Sequence, residues 1–245
     1  MGNSCLVDKL TGNARPIVVL SCQVFQHWLE DLLPDELSSN ITFFDYGLHA
    51  VPKQLRQTIQ DAIDNIEQPS LVVLGYGLCG NGLDNIEAGK HFLLIPRTDD
   101  CIAILLGSYQ AYQREMKKEP GTYYLSKGWL EAGTNPLEES RKYAQKYDAE
   151  TATFLMDTQY HNYRRLMMVA RNAAELETYR AKALEVAEFC SRWGMRYEEM
   201  LGSDQYLEQL VEVAFTLERA GDEFLIIPPG GALQQALFLR NTDNK

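Results

Sequence analysis

Cysteine and histidine residues follow four short apolar segments in the first half of this 245-residue sequence. The segments are residues 17–20, 41–44, 71–74 and 92–95. The residues that follow them are, in the same order, Cys22, His49, Cys79 and Cys101. Thiolates and imidazole bind zinc and copper(I), and thiolates also hold iron–sulfur clusters. We therefore interpret the three cysteines as metal ligands, with His49 as a further ligand or as a catalytic acid or base.

The competing interpretation is structural, because cysteine is among the residues most often buried and packs like a small apolar side chain. The sequence has no CxxC pair among these residues and spreads them over about 80 residues, so the spacing matches no compact zinc motif. For Cys190, within a helical pattern, and for Cys5, near the N-terminus, we expect simple packing or exposure. The shared position at strand ends favours a ligand or nucleophile role for the other three cysteines.

A glycine-rich loop follows the third apolar segment, and glycine lets a backbone approach a ligand or an ion closely. We predict that Gly75, Gly77 and Gly80 of this loop contact a cofactor, together with Gly230 after the last apolar segment. The loop lacks the GKS/T ending of a P-loop, and no strong helical pattern follows its GxGxxG spelling, which disfavours a dinucleotide. Tyr76, in the same loop, is a weaker catalytic candidate.

Charged residues precede Cys101. Arg97 and Asp100 could orient a substrate carboxylate, tune the thiol and serve as an acid or a base. An ordinary helix start, with Thr98 or Asp99 as the N-cap, would explain the same residues.

Strand and helix patterns alternate along the chain, which predicts a three-layer, Rossmann-like α/β fold with a mostly parallel sheet flanked by helices. Ligands of such sheets bind at the carboxyl ends of the strands, so the strand-end residues should share one edge. Further strands are predicted at 151–156, 196–200 and 224–227, a long helical stretch at 160–193, and a loop or hairpin between 119 and 135. Short matches of 18–22 with 72–76, and of 93–96 with 225–228, suggest two similar halves.

The composition restricts the class of protein. A formal net charge of -11 disfavours a nucleic-acid partner, because phosphate binding requires a surplus of Lys and Arg. No segment reaches the ~18 apolar residues of a membrane span, and the N-terminus lacks a signal peptide, so we expect a cytoplasmic protein with no membrane partner. Residues 1–15 are predicted to be a disordered leader and 16–245 a single α/β domain, with a subdivision near 135–150. Acidic helices with apolar residues would permit a homodimer.

Several of these stretches resemble a known family. They are Gly75-Tyr76-Gly77-Leu78-Cys79-Gly80-Asn81-Gly82-Leu83, Pro96-Arg97-Thr98-Asp99-Asp100-Cys101, Gly107-Ser108 and Tyr123-Tyr124-Leu125-Ser126-Lys127-Gly128-Trp129. The resemblance is to a prokaryotic family called domain of unknown function number sixteen thirty-eight, and it covers most of the chain from Pro16. It implies that Cys22, Cys79 and Cys101 form a working site. Because some members occur beside corrinoid methyltransferase systems, it also implies a corrinoid protein as a partner.

These observations predict a metal-thiolate-dependent enzyme that acts on a small molecule. With zinc, the reaction would be methyl transfer, in which the ion keeps a substrate thiol as its thiolate. With a [4Fe–4S] cluster on the three cysteines, it would be lyase or dehydratase chemistry. A position of His49 close to the sulfurs favours a single metal ion, whereas three sulfurs around a larger void favour a cluster. The alternative is a non-catalytic metal- or corrinoid-handling accessory protein with a closed four-ligand site.

Overall fold

A computed structural model of the chain describes residues 15–240, apart from the side chains of residues 36 and 50. The predicted disordered leader, residues 1–15, lies outside the described residues except for its last position, and Cys5 lies outside them too.

The described residues form two compact units. The first unit consists of residues 15–104 and 205–240, and the second is Leu105–Asp204. The single domain predicted for 16–245 stays a prediction, and the subdivision predicted near 135–150 lies inside the second unit.

Eight strands, numbered along the chain, lie within residues 15–240. They are β1 Ile17–Cys22, β2 Ile41–Phe44, β3 Leu71–Gly75, β4 Phe92–Pro96, β5 Thr122–Ser126, β6 Arg165–Ala170, β7 Arg196–Leu201 and β8 Phe224–Ile227. In the first unit, five of them form a sheet in the order β2-β1-β3-β4-β8. Strands β1 to β4 pair in parallel, whereas β8 runs antiparallel to β4. Strands β3 and β4 are buried along their whole length, which explains why both are continuous apolar runs.

Helices connect and flank the strands. They are α1 Gln26–Leu32, α2 Asp35–Ser38, α3 Pro52–Asp64, α4 Cys101–Leu105, α5 Tyr109–Lys118, α6 Lys127–Glu131, α7 Pro136–Lys146, α8 Ala149–Tyr160, α9 Ala173–Cys190, α10 Gln205–Phe215 and α11 Gln235–Phe238. Short 3-10 helices occur at Gln23–Phe25, Tyr46–Ala50, Ser191–Trp193 and Leu217–Arg219. Helix α3 illustrates the pattern, because it begins at a proline and buries Leu55, Ile59 and Ile63 at a spacing of four. Within residues 15–240, no helix combines the length and the apolar character needed to cross a membrane.

The second unit contains a three-stranded parallel sheet in the order β5-β6-β7. The central strand β6 is buried at all six residues, and helix α9 follows it, with Asn172 as its N-cap. The core of this unit includes Leu125 of β5, Met168 of β6 and Cys190 at the end of α9. The predicted α/β fold with mostly parallel sheets is confirmed in both units.

One predicted strand is a helix. Residues 151–156 belong to α8, whose N-cap Asp148 accepts a hydrogen bond from the Thr151 amide at 2.9 Å. The buried residues of this helix are four apart along the chain, namely Ala152, Met156 and Tyr160. Phe154 between them is exposed, so the apolar run that suggested a strand is divided between two faces of a helix.

Two further predictions in the second unit are wrong. The stretch 160–193 contains strand β6 before helix α9, and the segment predicted as a loop or hairpin contains the parallel strand β5. A strand buried on both faces lacks the alternation that identifies a strand, so β6 resembles part of a buried helix. The strands predicted at 196–200 and 224–227 are confirmed.

The strand-end residues do not all share one edge of the sheet. Strand β8 is antiparallel, and Ile227 at its end pairs with Leu93 at the start of β4. Gly230 therefore lies at the opposite edge from Cys101, where its amide donates to the Gly89 carbonyl at 2.8 Å, and its expected position beside the other candidates is wrong.

The matches that suggested two similar halves fall on four strands of the same five-stranded sheet. Val18 pairs with Val72 across β1 and β3, and β4 is the neighbour of β8. The similarity is thus between adjacent strands within one sheet, and all of them share an apolar character.

Candidate metal centre

Cys22 is the last residue of β1 and is fully buried. The 3-10 helix Gln23–Phe25 begins immediately after it, so the backbone turns away from the strand direction directly after Cys22. The Cys22 Sγ lies 3.0 Å from the Nε2 atom of His49, a contact within hydrogen-bond distance for sulfur.

His49 comes from the next strand of the sheet. Strands β1 and β2 are parallel, with Cys22 opposite Phe44, so the chain leaves β2 on the same edge as Cys22. Asp45 then starts the 3-10 helix Tyr46–Ala50 by accepting a hydrogen bond from the Gly47 amide at 2.7 Å. This short helix holds His49, which is half-buried, against the sulfur of Cys22.

Two glycines allow the loop after β3 to pack closely. A Cβ atom on Gly75 would lie 2.2 Å from the Oγ atom of Ser21, its partner on β1. A Cβ atom on Gly77 would lie 2.7 Å from the backbone carbonyl of Asp100. Gly80 has a φ of +62° and open space around it, so its role is conformational. Close packing or backbone conformation thus explains why a glycine occupies each of these positions, and their contact with a cofactor stays a prediction.

Backbone hydrogen bonds tie the loops that carry Cys79 and Cys101. The Leu78 amide donates to the Thr98 carbonyl, and the Cys79 amide donates to the Asp99 carbonyl, both at 2.9 Å. Cys79 itself has a φ of +50°, which is unfavourable for a residue with a side chain. Such backbone strain persists where the surrounding structure enforces it, and here it accompanies the placement of the Cys79 sulfur.

Cys101 is the first residue of helix α4. Asp100 fixes this start, because its Oδ1 atom accepts a hydrogen bond from the Ile102 amide at 2.8 Å. Thr98 and Asp99 instead contribute the backbone carbonyls that hold the neighbouring loop. The cysteine thus lies at the helix start, as predicted, with a different residue bonded to the first turn.

The four side chains lie together at the carboxyl ends of β1 to β4. The Cys79 and Cys101 sulfurs are 3.3 Å apart, and both are buried. One nitrogen of His49 and these two sulfurs all lie within 4.8 Å of one another, which is close enough to share a metal ion. Cys22 joins the group through its contact with His49, and it contributes to the lowered pKa of Cys101.

The charges of the group are unequal. Hydrogen bonds from Cys22 and Cys79 hold the pKa of the Cys101 thiol well below its usual value, although burial opposes them. Burial raises the pKa of Cys22, and the hydrogen bond with Cys101 followed by burial raises that of Cys79. Burial lowers the pKa of His49, but the charge of Cys101, a hydrogen bond with Cys101 and the charge of Asp100 together outweigh burial, and the net shift of the pKa is upward. These shifts favour the thiolate form of Cys101 and the protonated form of His49.

Tyr76 lies against this group. Its side chain is 1% exposed, and its ring centroid is 6.1 Å from that of His49. Burial raises the pKa of the phenol, and the charges of Cys22, Cys101 and Cys79 raise it further, so the hydroxyl stays protonated. Among the described residues, the hydroxyl has no hydrogen-bond partner.

The two charged candidates beside Cys101 have different surroundings. The Arg97 guanidinium donates to the backbone carbonyls of Leu237 at 2.8 Å and Leu239 at 2.5 Å, so it anchors the C-terminal segment. The Asp100 carboxylate stays near the sulfurs and raises the pKa of His49 and Cys79 by its charge. The catalytic roles of both residues stay predictions.

Sequence reasoning omitted two residues that shape the group. Ser21 is fully buried, and its hydroxyl donates to the Gly75 carbonyl at 3.3 Å, which joins the ends of β1 and β3. Asp45 caps the turn that carries His49, and its charge raises the pKa of Cys22. Each residue lies next to a strand end that already carried a candidate, and that position is the signal that could have identified both.

Comparison with known proteins supports the resemblance noted in the sequence. Neither a curated protein nor a solved structure matches the chain. The model of the family described as "Protein of unknown function (DUF1638)" matches residues 43–211, a range that contains His49, Cys79 and Cys101 and begins after Cys22. Because the match covers more than half of the sequence, the chain belongs to the DUF1638 family.

Proposed function

We propose that this chain binds a transition-metal ion with Cys22, Cys79, Cys101 and His49, and that it uses the ion to act on a small molecule. The observation that supports the proposal is the convergence of four ligand-type side chains from four neighbouring strand ends. Backbone hydrogen bonds between the loop after β3 and the loop after β4 fix the positions of two of the sulfurs before any metal binds. A preformed arrangement of this kind reduces the conformational entropy lost when a metal binds.

The donor set favours a single ion, and zinc in particular. Three thiolates and one imidazole are a common tetrahedral set for zinc. The Nε2 atom of His49 lies 3.0 Å from one sulfur, and His49 belongs to the same close group as the other two. A [4Fe–4S] cluster on the three cysteines would need room for four irons among those sulfurs, and the 3.3 Å between the Cys79 and Cys101 sulfurs argues against that room.

Methyl transfer to a thiol is the reaction that suits such an ion. Bound zinc holds a thiol as its thiolate, which is the nucleophilic form. A substrate thiol would need one coordination position, and His49 is the half-buried member of an otherwise buried set. We therefore propose that a substrate thiol would replace His49, while the three cysteines would hold the ion. The thiol proton would pass to solvent, and a methyl donor such as a methylcorrinoid would supply the methyl group and keep the electron pair of the broken bond. Lyase chemistry is the corresponding proposal if the centre is an iron–sulfur cluster.

The burial of the sulfurs favours a second candidate, a non-catalytic metal-handling protein. Cys22 and Cys101 are 0% and 2% exposed. A closed set of four ligands is typical of structural and storage sites. A corrinoid protein as the partner, like a homodimer, stays a prediction from the sequence.

The first experiment measures the metal content and the absorption spectrum of protein purified without oxygen. Wild type is compared with Cys79→Ala and with the matched control Cys190→Ala, whose cysteine is also buried but lies in the apolar core of the second unit. We expect about one zinc per chain in wild type and in the control, and less than a tenth of that in Cys79→Ala, since a thiolate ligand is lost.

Other outcomes change the proposal in defined ways. A brown protein with about four irons would replace zinc by a cluster. Absence of any metal from wild type after reconstitution with zinc and with iron and sulfide would refute the metal centre. Equal loss of metal in Cys190→Ala would show that the loss follows from destabilisation rather than from a missing ligand.

Cobalt substitution then separates the enzyme from the accessory protein. Thiolate-to-cobalt charge-transfer absorption grows with the number of bound thiolates. Titration with 2-mercaptoethanol should increase this absorption if an exogenous thiol takes the His49 position, and should do so at lower concentration in His49→Ala. An unchanged spectrum in both proteins would support the closed site.

A further inference from the structure

The hydroxyl of Tyr76 is a buried donor next to the proposed metal centre. Its side chain is 1% exposed, and within residues 15–240 the hydroxyl makes no hydrogen bond. A buried polar group without a partner costs folding free energy, so such a group requires an explanation. One explanation is a ligand that supplies the missing acceptor.

The backbone fixes the position of this tyrosine. Gly75 packs against Ser21 on one side of it, and Gly77 packs against the backbone of Asp100 on the other. The ring lies beside the imidazole of His49, with 6.1 Å between the centroids. Tyr76 therefore belongs to the same strand-end group as the candidate ligands.

The surroundings restrict the acceptor to an uncharged oxygen. Three thiolates and one divalent ion together carry a net negative charge, so they would repel a carboxylate or a phosphate. Arg97, the cationic candidate at the end of β4, is bonded to the carbonyls of Leu237 and Leu239 instead. A carbonyl or ether oxygen accepts one hydrogen bond without adding charge.

We propose that Tyr76 donates a hydrogen bond to a carbonyl or ether oxygen of the bound substrate, so that the substrate thiol is a small molecule that also carries an uncharged oxygen. This inference rests on the proposed metal site, because it places the substrate beside the same sulfurs. Tyr76 would then be a residue that binds and orients the substrate, and its phenol would polarise the oxygen without transferring its proton.

The test uses zinc-loaded, full-length protein and a panel of neutral probes. The oxygen-bearing probes are acetone, acetamide, cyclopentanone and tetrahydrofuran, and cyclopentane is the oxygen-free counterpart. Binding is measured by saturation-transfer difference NMR for wild type, Tyr76→Phe and Thr98→Val. Thr98 is the matched control, because its side chain is also buried and its hydroxyl has no partner among the described residues.

We expect at least one oxygen-bearing probe to bind wild type and to bind Tyr76→Phe about tenfold more weakly, which is the loss of one hydrogen bond. Cyclopentane should not distinguish the two proteins, and Thr98→Val should match wild type within about twofold. All three proteins should contain the same amount of zinc.

The remaining outcomes each overturn the inference. Failure of every probe to bind wild type, or equal binding by Tyr76→Phe, would mean that the hydroxyl serves no such ligand. A matching loss in Thr98→Val would mean that any buried hydroxyl has this effect. Loss of zinc from Tyr76→Phe alone would make the tyrosine a support of the ligands, whereas absence of zinc from wild type would refute the metal centre itself.

Discussion

Each of the two units contains a cysteine that is almost completely buried, but the pKa values of these two thiols are shifted in opposite directions. Cys190 of the second unit is 0% exposed, at the end of a helix, within an apolar cluster. Burial raises the pKa of its thiol to about 12. Cys101 of the first unit is 2% exposed, yet its pKa is held well below the usual value.

The difference lies in the neighbours, since burial is the same. Hydrogen bonds with Cys22 and Cys79 and the charge of His49 lower the pKa of Cys101, whereas the core around Cys190 offers it apolar and aromatic side chains. A buried cysteine becomes a metal ligand or a nucleophile only where the fold supplies such partners. In the first unit, the partners come from adjacent parallel strands.

The largest expected effect tests the second unit. Arg165 is a buried charged residue of this unit, and it contacts the Glu115 carboxylate at 3.1 Å, the Glu198 carboxylate at 3.2 Å and the Thr122 hydroxyl at 2.9 Å. Replacing Arg165 by Ala leaves Glu115 in the interior with less compensation, and we expect the free energy of unfolding to fall by about 3 kcal/mol. Urea denaturation followed by circular dichroism measures this change.

Lys118→Ala is the matched control for that variant. Lys118 also contacts Glu115, at 2.6 Å, but its side chain is 66% exposed, so its removal should cost less than about 1 kcal/mol. The metal content of folded Arg165→Ala protein should equal that of wild type. A variant that unfolds normally but has lost its metal would contradict the division of roles between the units.

A smaller effect is expected from the glycine loop of the first unit. In Gly77→Ala, the new Cβ would lie 2.7 Å from the Asp100 carbonyl, so the loops that carry Cys79 and Cys101 must separate. Overpacking of this kind costs about 1–3 kcal/mol, and we expect metal content to fall severalfold.

Gly231→Ala is the matched control, because it creates a similar contact, 2.9 Å from the Ile227 side chain, at the opposite edge of the sheet. It should destabilise the protein and keep the metal, and equal metal content in both variants would refute the proposed role of loop spacing.

The smallest effect concerns the pH dependence of stability. Because burial raises the pKa of Cys190 in the folded protein to about 12, its contribution to stability is complete below the unfolded value of roughly 8.5 and is lost as pH rises toward 12. Cys190→Ala should cost about 1 kcal/mol near neutral pH, as expected for a small cavity. The difference between wild type and variant should then fall by about 1 kcal/mol from about pH 7 to about pH 9. Urea titrations at the two pH values measure it, and a constant difference would show that Cys190 ionises normally in the folded state.

Local sequence predicted the elements of the first unit well. The segments that became β1, β3 and β4 are continuous apolar runs because parallel strands are buried on both faces, and helix α3 has its proline start and apolar face in the expected places. The same rule failed in the second unit, where the buried strand β6 lacks the alternation that would separate it from helix α9.

The sequence by itself determined that Cys22, His49, Cys79 and Cys101 each come after a short apolar segment, because residue type and spacing are local properties. Only the tertiary structure decided which strands are neighbours and which way they run. The order β2-β1-β3-β4 brings these four strand ends together, while the antiparallel direction of β8 takes Gly230 to the other edge. Strand partners and directions depend on contacts between residues far apart in the chain, and no local pattern encodes them. The 3.3 Å between the Cys79 and Cys101 sulfurs depends on the same long-range contacts, through the glycine loop that packs on the backbone of Asp100.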